Sequence, residues 1–206
     1  WEEVCSDLIK EEDYEVALNL LKEIEENSIF DKFNSAMKFS LQAWILQCYV
    51  VENMYNQDEI ETYVQDLDEL FMEEASGIAQ TRKDEYLLWK FKYYLAVGKY
   101  HEIIDSINQY NDITPELCYI KALAIKHIYD IDACIKSLKN SIQIFPGNKH
   151  LIYSYYDHIL SKVFKYDLFK AKKYINKMKP YIDILSLEDI IHFKYNEQVT
   201  LFYNGE

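Results

Sequence analysis

The 206-residue chain is predicted to fold as an all-α protein of antiparallel helix pairs, and three features of its sequence lead there. It holds only 4 Gly and 3 Pro, where average usage would supply about 25. A β-sandwich needs a turn residue every ~8–12 positions, and a nucleotide-binding α/β domain needs Gly-rich phosphate loops; this supply feeds neither. Apolar residues recur at helical spacing, as in Val16, Leu20, Ile24, in Tyr63, Leu67, Leu70, Phe71, and in Ile131, Ile135, Leu138, Ile142. The breaks between these segments are short, which makes successive helices antiparallel neighbours.

Taken in order, the periodic segments predict helices over 1–11, 14–27, 31–54, 57–75, 82–97, 100–110, 115–128, 131–144, 149–163, 168–178 and 186–203. Three joints carry turn chemistry: Gly98-Lys99, Asp112 to Pro115, and Pro146-Gly147-Asn148. Pro115 and Pro146 fall at a helix start or just past a helix end, where a missing N–H costs little. No Gly/Ser-rich linker interrupts the chain, which reads as one continuous domain over 1–206.

An apolar fraction of 50% with 16% aromatics, 19 Tyr among them, is enough for a substantial core and excludes disorder for most of the chain. The longest apolar run, near Leu41 to Val51, is broken by Gln42 and Gln47 and is too short for a membrane span. Trp1 stands where an initiator Met would, with no basic and apolar leader after it, so the sequence is expected to be a fragment of a longer chain. Cys5, Cys48, Cys118 and Cys134 lie far apart among apolar neighbours, which predicts reduced core thiols rather than disulfides or zinc ligands. That, with the lack of an Asn-x-Ser/Thr acceptor, suggests a cytoplasmic or otherwise intracellular address.

The net charge of −13 is uneven. Residues 1–80 hold 20 acids and 4 bases, while residues 81–206 hold 15 acids and 18 bases. So acidic a first third disfavours nucleic acid as a partner, since phosphate binding rests on cations.

The segments beginning Gly98-Lys99-Tyr100 and Tyr129-Asp130-Ile131 each stand 17 residues before a proline, Pro115 and Pro146, which sets a period of 31. In the second helix pair Cys118, Ala122 and Ile125 are followed by Cys134, Leu138, Ser141 and Pro146. The copy over 84–115 gives Leu87, Phe91, Tyr94, Gly98, Tyr100, Ile103 and Ile107. The chain opens on Trp1, Cys5, Leu8, Tyr14, Ala17, Leu21 and Ile24, and a further copy over Ile152 to Met178 centres on Ala171. This pattern resembles the tetratricopeptide repeat over roughly two thirds of the chain. Lys90 and Lys121 stand where that family usually has leucine, Ile103 where it has alanine, and 28–81 is the least regular stretch. The resemblance implies a right-handed α-solenoid in which a small side chain lets paired helices approach and a large one fills the hole opposite.

No motif for catalysis is present: the nucleophile elbow, the phosphate loop and the dinucleotide fingerprint are all missing. His101, His127, His150, His158 and His192 lack metal-ligand spacing, so no metal or other cofactor is expected. The carboxylate runs Glu11-Glu12-Asp13, Asp66/Asp68/Glu69 and Glu73-Glu74 read as solvated helix faces. Lys162, Lys165, Lys170, Lys172, Lys173, Lys177 and Lys179, interleaved with Tyr166, Tyr174 and Tyr181, form the densest basic patch, which reads either as a solvated face of one amphipathic helix or as a surface for an acidic peptide, a phosphate-bearing partner or RNA.

By the resemblance, the first helix of each pair lines a concave groove, onto which Glu85, Lys92, Glu116, Tyr119, Leu123, Lys126, His127, His150, Tyr153 and Asp157 would point. The expected function is a non-enzymatic scaffold or adaptor that binds a protein or peptide segment, with acidic side chains or a carboxylate on the ligand, to assemble or regulate a complex. The alternative is the sensor part of a peptide-responsive transcriptional regulator of the pheromone-receptor kind, separated from its DNA-binding part. The acidic first third and the lysine-rich region also leave homo-oligomer formation open.

Overall fold

In a computed structural model that describes residues 1–52, 57–72, 78–110 and 112–203, the chain is helical throughout, with no strand among the described residues. These residues gather into two compact units, 1–97 and 98–206.

The first unit holds α1 (Glu2–Lys10), α2 (Tyr14–Glu26), α3 (Ser35–Val51), α4 (Gln57–Met72) and α5 (Gln80–Ala96). Its centre is α3, which packs against α2, α4 and α5. The reason is compositional: α3 is apolar on every side, and Phe39, Leu41, Trp44, Ile45, Leu46, Cys48 and Tyr49 are all buried, as a helix without a polar face must be. Helix α3 begins at Ser35, not at residue 31. A short 3-10 turn, Phe30–Lys32, precedes it, and the Asn34 side chain accepts the Met37 N–H at 2.9 Å, fixing the true N-terminus. Beside α3, the fully buried Ala17 and Leu21 of α2 meet Cys5 of α1 in the same core.

The second unit holds α6 (Tyr100–Gln109), α7 (Pro115–Ile128), α8 (Ile131–Ile144), α9 (Lys149–Val163), α10 (Leu168–Met178), a 3-10 segment (Lys179–Ile184) and α11 (Leu187–Tyr203). Each of α6 to α11 packs on the next, so order in sequence is order in space. The starts are set by side-chain caps: Thr114, Asp130, Asn148 and Asp167 accept the N–H of Leu117, Ala133, Leu151 and Lys170. Pro115 opens α7, where its missing N–H would be unpaired anyway. Two small buried residues, Ala122 and Cys134, let α7 and α8 approach, with Leu138 and Leu151 closing the space. Ala171 serves α9 and α10 likewise, with Leu160, Ile175, Met178 and Phe193 around it.

One joint departs from what the sequence announces. Helix α1 ends in a Schellman geometry, with the Glu12 N–H donating to the Ile9 carbonyl at 3.2 Å and the Asp13 N–H to the Leu8 carbonyl at 2.9 Å. The motif requires a left-handed residue, and Glu12 supplies it at φ 63°, where glycine is preferred. At the end of α5 the same task falls to Gly98, at φ 83°. Replacing Glu12 with Gly should stabilise the chain by about 1 kcal/mol; urea denaturation of the two proteins checks this, and a loss of stability would show that the Glu12 side chain compensates its own strain.

Candidate functional site

The predicted groove residues do not share one fate. Glu85 and Lys92 belong to α5 in the first unit: Glu85 is exposed and paired with Arg82 at 2.8 Å, while Lys92 stands 3.9 Å over the Trp89 ring and burial lowers its pKa. In the second unit Glu116 and His150 are exposed in the first turns of α7 and α9. His127 stacks on the Tyr100 ring, centroids 4.5 Å apart and planes 3° from parallel, which ties α6 to the end of α7. Leu123 is half-buried on α7.

The remaining four converge. Burial raises the pKa of Tyr119 on α7, with the charges of Asp157 and Asp189 adding to the effect. Tyr153, one turn before Asp157 on α9, is buried and its pKa is likewise pushed up, by burial first and then by the same two carboxylates. Asp157 is half-buried and lacks an ion-pair partner among the described residues. Burial raises its pKa; His158 and His192 act in the opposite direction, Asp189 pushes it further up, and Lys126 opposes that. Three alternate helices, α7, α9 and α11, thus place two tyrosines, two aspartates, His192 and the exposed Lys126 within electrostatic reach of Asp157 or its neighbours.

Asp189 and His192 escape the sequence reading, because α11 bears no local mark that its face meets Asp157. Their spacing of three residues on a helix is the one available signal. Asp189 is held at the start of α11 by Ser186, whose hydroxyl donates to its Oδ2 at 2.7 Å and accepts its N–H at 3.2 Å. Behind the cluster His158 is buried, with Nδ1 2.9 Å from the Ser154 carbonyl oxygen, and burial lowers its pKa.

The lysine patch does not form one free surface. Lys162 pairs with Asp132, Lys170 with Asp167 at 3.1 Å and Lys179 with Glu197 at 2.8 Å. Lys177 lies over the rings of Tyr156 and Tyr174, 5.1 and 5.8 Å from their centroids. Lys165 and Lys173 are exposed, and Lys172 is half-buried.

The first unit spends its polar groups differently. The Lys22 ammonium of α2 donates to Glu59 and, at 2.6 Å, to the Tyr63 hydroxyl; Tyr63 donates in turn to Glu25, and Tyr49 to Glu59 at 2.7 Å. Burial works against the lysine charge, yet Glu59 and the two hydroxyls hold its pKa above the ordinary value. A second network joins α4 to α5, where Asp68 accepts from Tyr86 at 2.7 Å and from Lys90 at 2.6 Å. Of the carboxylate runs, Glu11-Glu12-Asp13 lies at the α1–α2 joint and Glu73-Glu74 lies outside the described residues. All four cysteines are free and buried, and no group of three metal-ligating side chains occurs among the described residues.

No family model, curated protein or solved structure matches this chain.

Two measurements follow from the contrast between paired and unpaired carboxylates. Lys22→Met should cost about 1–2 kcal/mol, after allowance for partial exposure, by leaving Glu25 and Glu59 without their cation; an unchanged denaturation midpoint would mean that the tyrosine hydroxyls alone satisfy them. Asp157 carries the opposite sign. A carboxyl whose folded pKa is raised above its unfolded value, about 4, destabilises the fold as pH rises through that range, fully so above the folded pKa. Asp157→Asn should therefore raise the melting temperature at pH 7 and leave it little changed near pH 3; equal shifts at both pH values would refute a burdened carboxylate.

Proposed function

We propose that this chain is a non-enzymatic, peptide-binding scaffold of tetratricopeptide type, a right-handed solenoid whose face over α7, α9 and α11 takes a basic segment of a partner protein. The observation that carries the reading is Asp157, half-buried within electrostatic reach of Tyr119, Tyr153 and Asp189 and without a salt-bridge partner among the described residues. A lone buried carboxylate is costly unless a ligand completes it, and tyrosine faces beside it suit the stem and head of Lys or Arg. The sign differs from the acidic ligand expected of the sequence, because α11 adds Asp189 to the face and the lysines of the basic patch are largely engaged elsewhere.

Support for the repeat type comes from small buried side chains where the pattern asks for them, Cys5, Ala17, Ala122, Cys134 and Ala171, and from Gly98 in the left-handed conformation at a pair's turn. Four free thiols, each buried, fit an intracellular address. Among the described residues no helix is long and apolar enough to cross a membrane.

The test is fluorescence anisotropy against two peptide libraries, one rich in Lys and Arg and one in Asp and Glu. Basic peptides should bind, more weakly as salt rises, and Asp157→Asn with Asp189→Asn should weaken binding about tenfold or more. Preference for acidic peptides, or binding untouched by the double substitution, would overturn the assignment of the face. A chain that bound no peptide while turning over a small metabolite would overturn the scaffold reading altogether.

A further inference from the structure

Helix α11 is apolar on two sides. Its inward side buries Phe193 and Thr200, both 1% exposed, together with Glu197. At 100° per residue, Leu187, Ile191, Tyr195 and Phe202 fall in one stripe on the opposite side, and they are 75%, 62%, 65% and 77% exposed. The stripe runs roughly 22 Å along the helix, with exposed Gln198 in its path and exposed Tyr203 at its end. A helix apolar all round is ordinarily a buried one, as α3 is in the first unit.

We infer that this stripe is covered by the same helix of a second copy of the chain, packed antiparallel across a two-fold axis. Three observations select that occupant. The stripe is self-complementary: its first half is aliphatic, Leu187 and Ile191, and its last turn is aromatic, Phe202 and Tyr203. A two-fold axis at Tyr195 sets Leu187 against the aromatic turn of the second copy and Ile191 against its Gln198–Val199 turn.

The charges also permit it. Residues 1–97 hold 22 acids and 8 bases, a net of −14, whereas residues 98–206 hold 13 acids and 14 bases, a net of +1. Two copies repel through their first units and can meet without that penalty only through the second. On the rim of the stripe Lys194 is already hydrogen-bonded to Glu197 at 3.0 Å, so no row of like charges faces its twin. The same lack of a cationic rim argues against an anionic lipid surface as the occupant.

The area is sufficient as well. The exposed parts of the five large side chains amount to on the order of 700 Å² per copy, close to the ~800 Å² that each partner contributes to a specific interface. A core of Leu, Ile, Phe and Tyr with charge at its edges is also the composition typical of homodimers.

Sedimentation velocity on residues 1–206 from about 1 to about 100 µM should show a monomer–dimer equilibrium. Ile191→Glu with Tyr195→Glu should raise the dimer Kd at least tenfold while leaving the helical circular dichroism unchanged, since neither side chain is in the core. Tyr195→Cys, next to its own twin on the axis, should form a disulfide-linked dimer under mild oxidation, and Lys165→Cys should not. A chain that stays monomeric at the highest concentration, a dimer indifferent to the double glutamate variant, or a monomer that instead sediments with anionic vesicles would each overturn the assignment. Because the double glutamate variant leaves Asp157 and Asp189 unchanged, peptide binding by its monomer reports on the groove separately.

Discussion

Two helices can pack closely only where at least one of them offers a small side chain, and here such residues are few and fully buried: Ala17 in α2, Ala122 in α7, Cys134 in α8 and Ala171 in α10. Around each, larger groups fill what the small one leaves open, Leu138 and Leu151 in one cluster and Ile175, Met178 and Phe193 in the next. The spacing of α7, α9 and α11 is therefore dictated from behind, by α8 and α10 seated on these residues. Tyr119, Tyr153, Asp157 and Asp189 meet because the helices that bear them are held at that spacing.

The two units resolve the burden of buried polar groups in opposite ways. In the first, each inward carboxylate has found a cation or a hydroxyl: Glu59 with Lys22 and Tyr49, Asp68 with Lys90 and Tyr86. Such networks link α2, α3, α4 and α5 through their polar side chains. In the second unit Asp157 is left without a salt-bridge partner among the described residues, and burial lowers the pKa of His158 beside it. An unfinished site of this kind costs stability, and it is where a binding function has a physical motive.

The helices of the second unit were legible almost to the residue because their signals are local. Thr114, Asp130, Asn148 and Asp167 cap the helices that follow them, and Pro115 can only stand at a start. The third helix was overdrawn, to 31–54 instead of 35–51, because Asn34 sits inside a run already periodic in apolar residues and its cap is easily read past. The lysine patch misled for a related reason: seven lysines near one another in sequence are distributed over α9, the turn after it, α10 and the 3-10 segment, and partners such as Asp132 and Glu197 lie on other elements. Tyr119, Lys126, Tyr153 and Asp157 were legible as a face of two helices; Asp189 and His192 were not, since nothing near them in sequence says which helix they will oppose.

What the sequence by itself determined is the set of helices, their joints and the apolar stripe on each, all consequences of interactions within a few residues: caps, fixed φ at proline, and the 3.6-residue period. Only the tertiary structure decided the electrostatics. Lys22 and Glu59 are 37 residues apart and meet, while Asp157 comes within reach of the charge of Asp189 and forms no salt bridge among the described residues. Whether a charge is paired, burdened or free depends on distances of a few ångströms between segments remote in the chain, and such distances are fixed only when the helices pack.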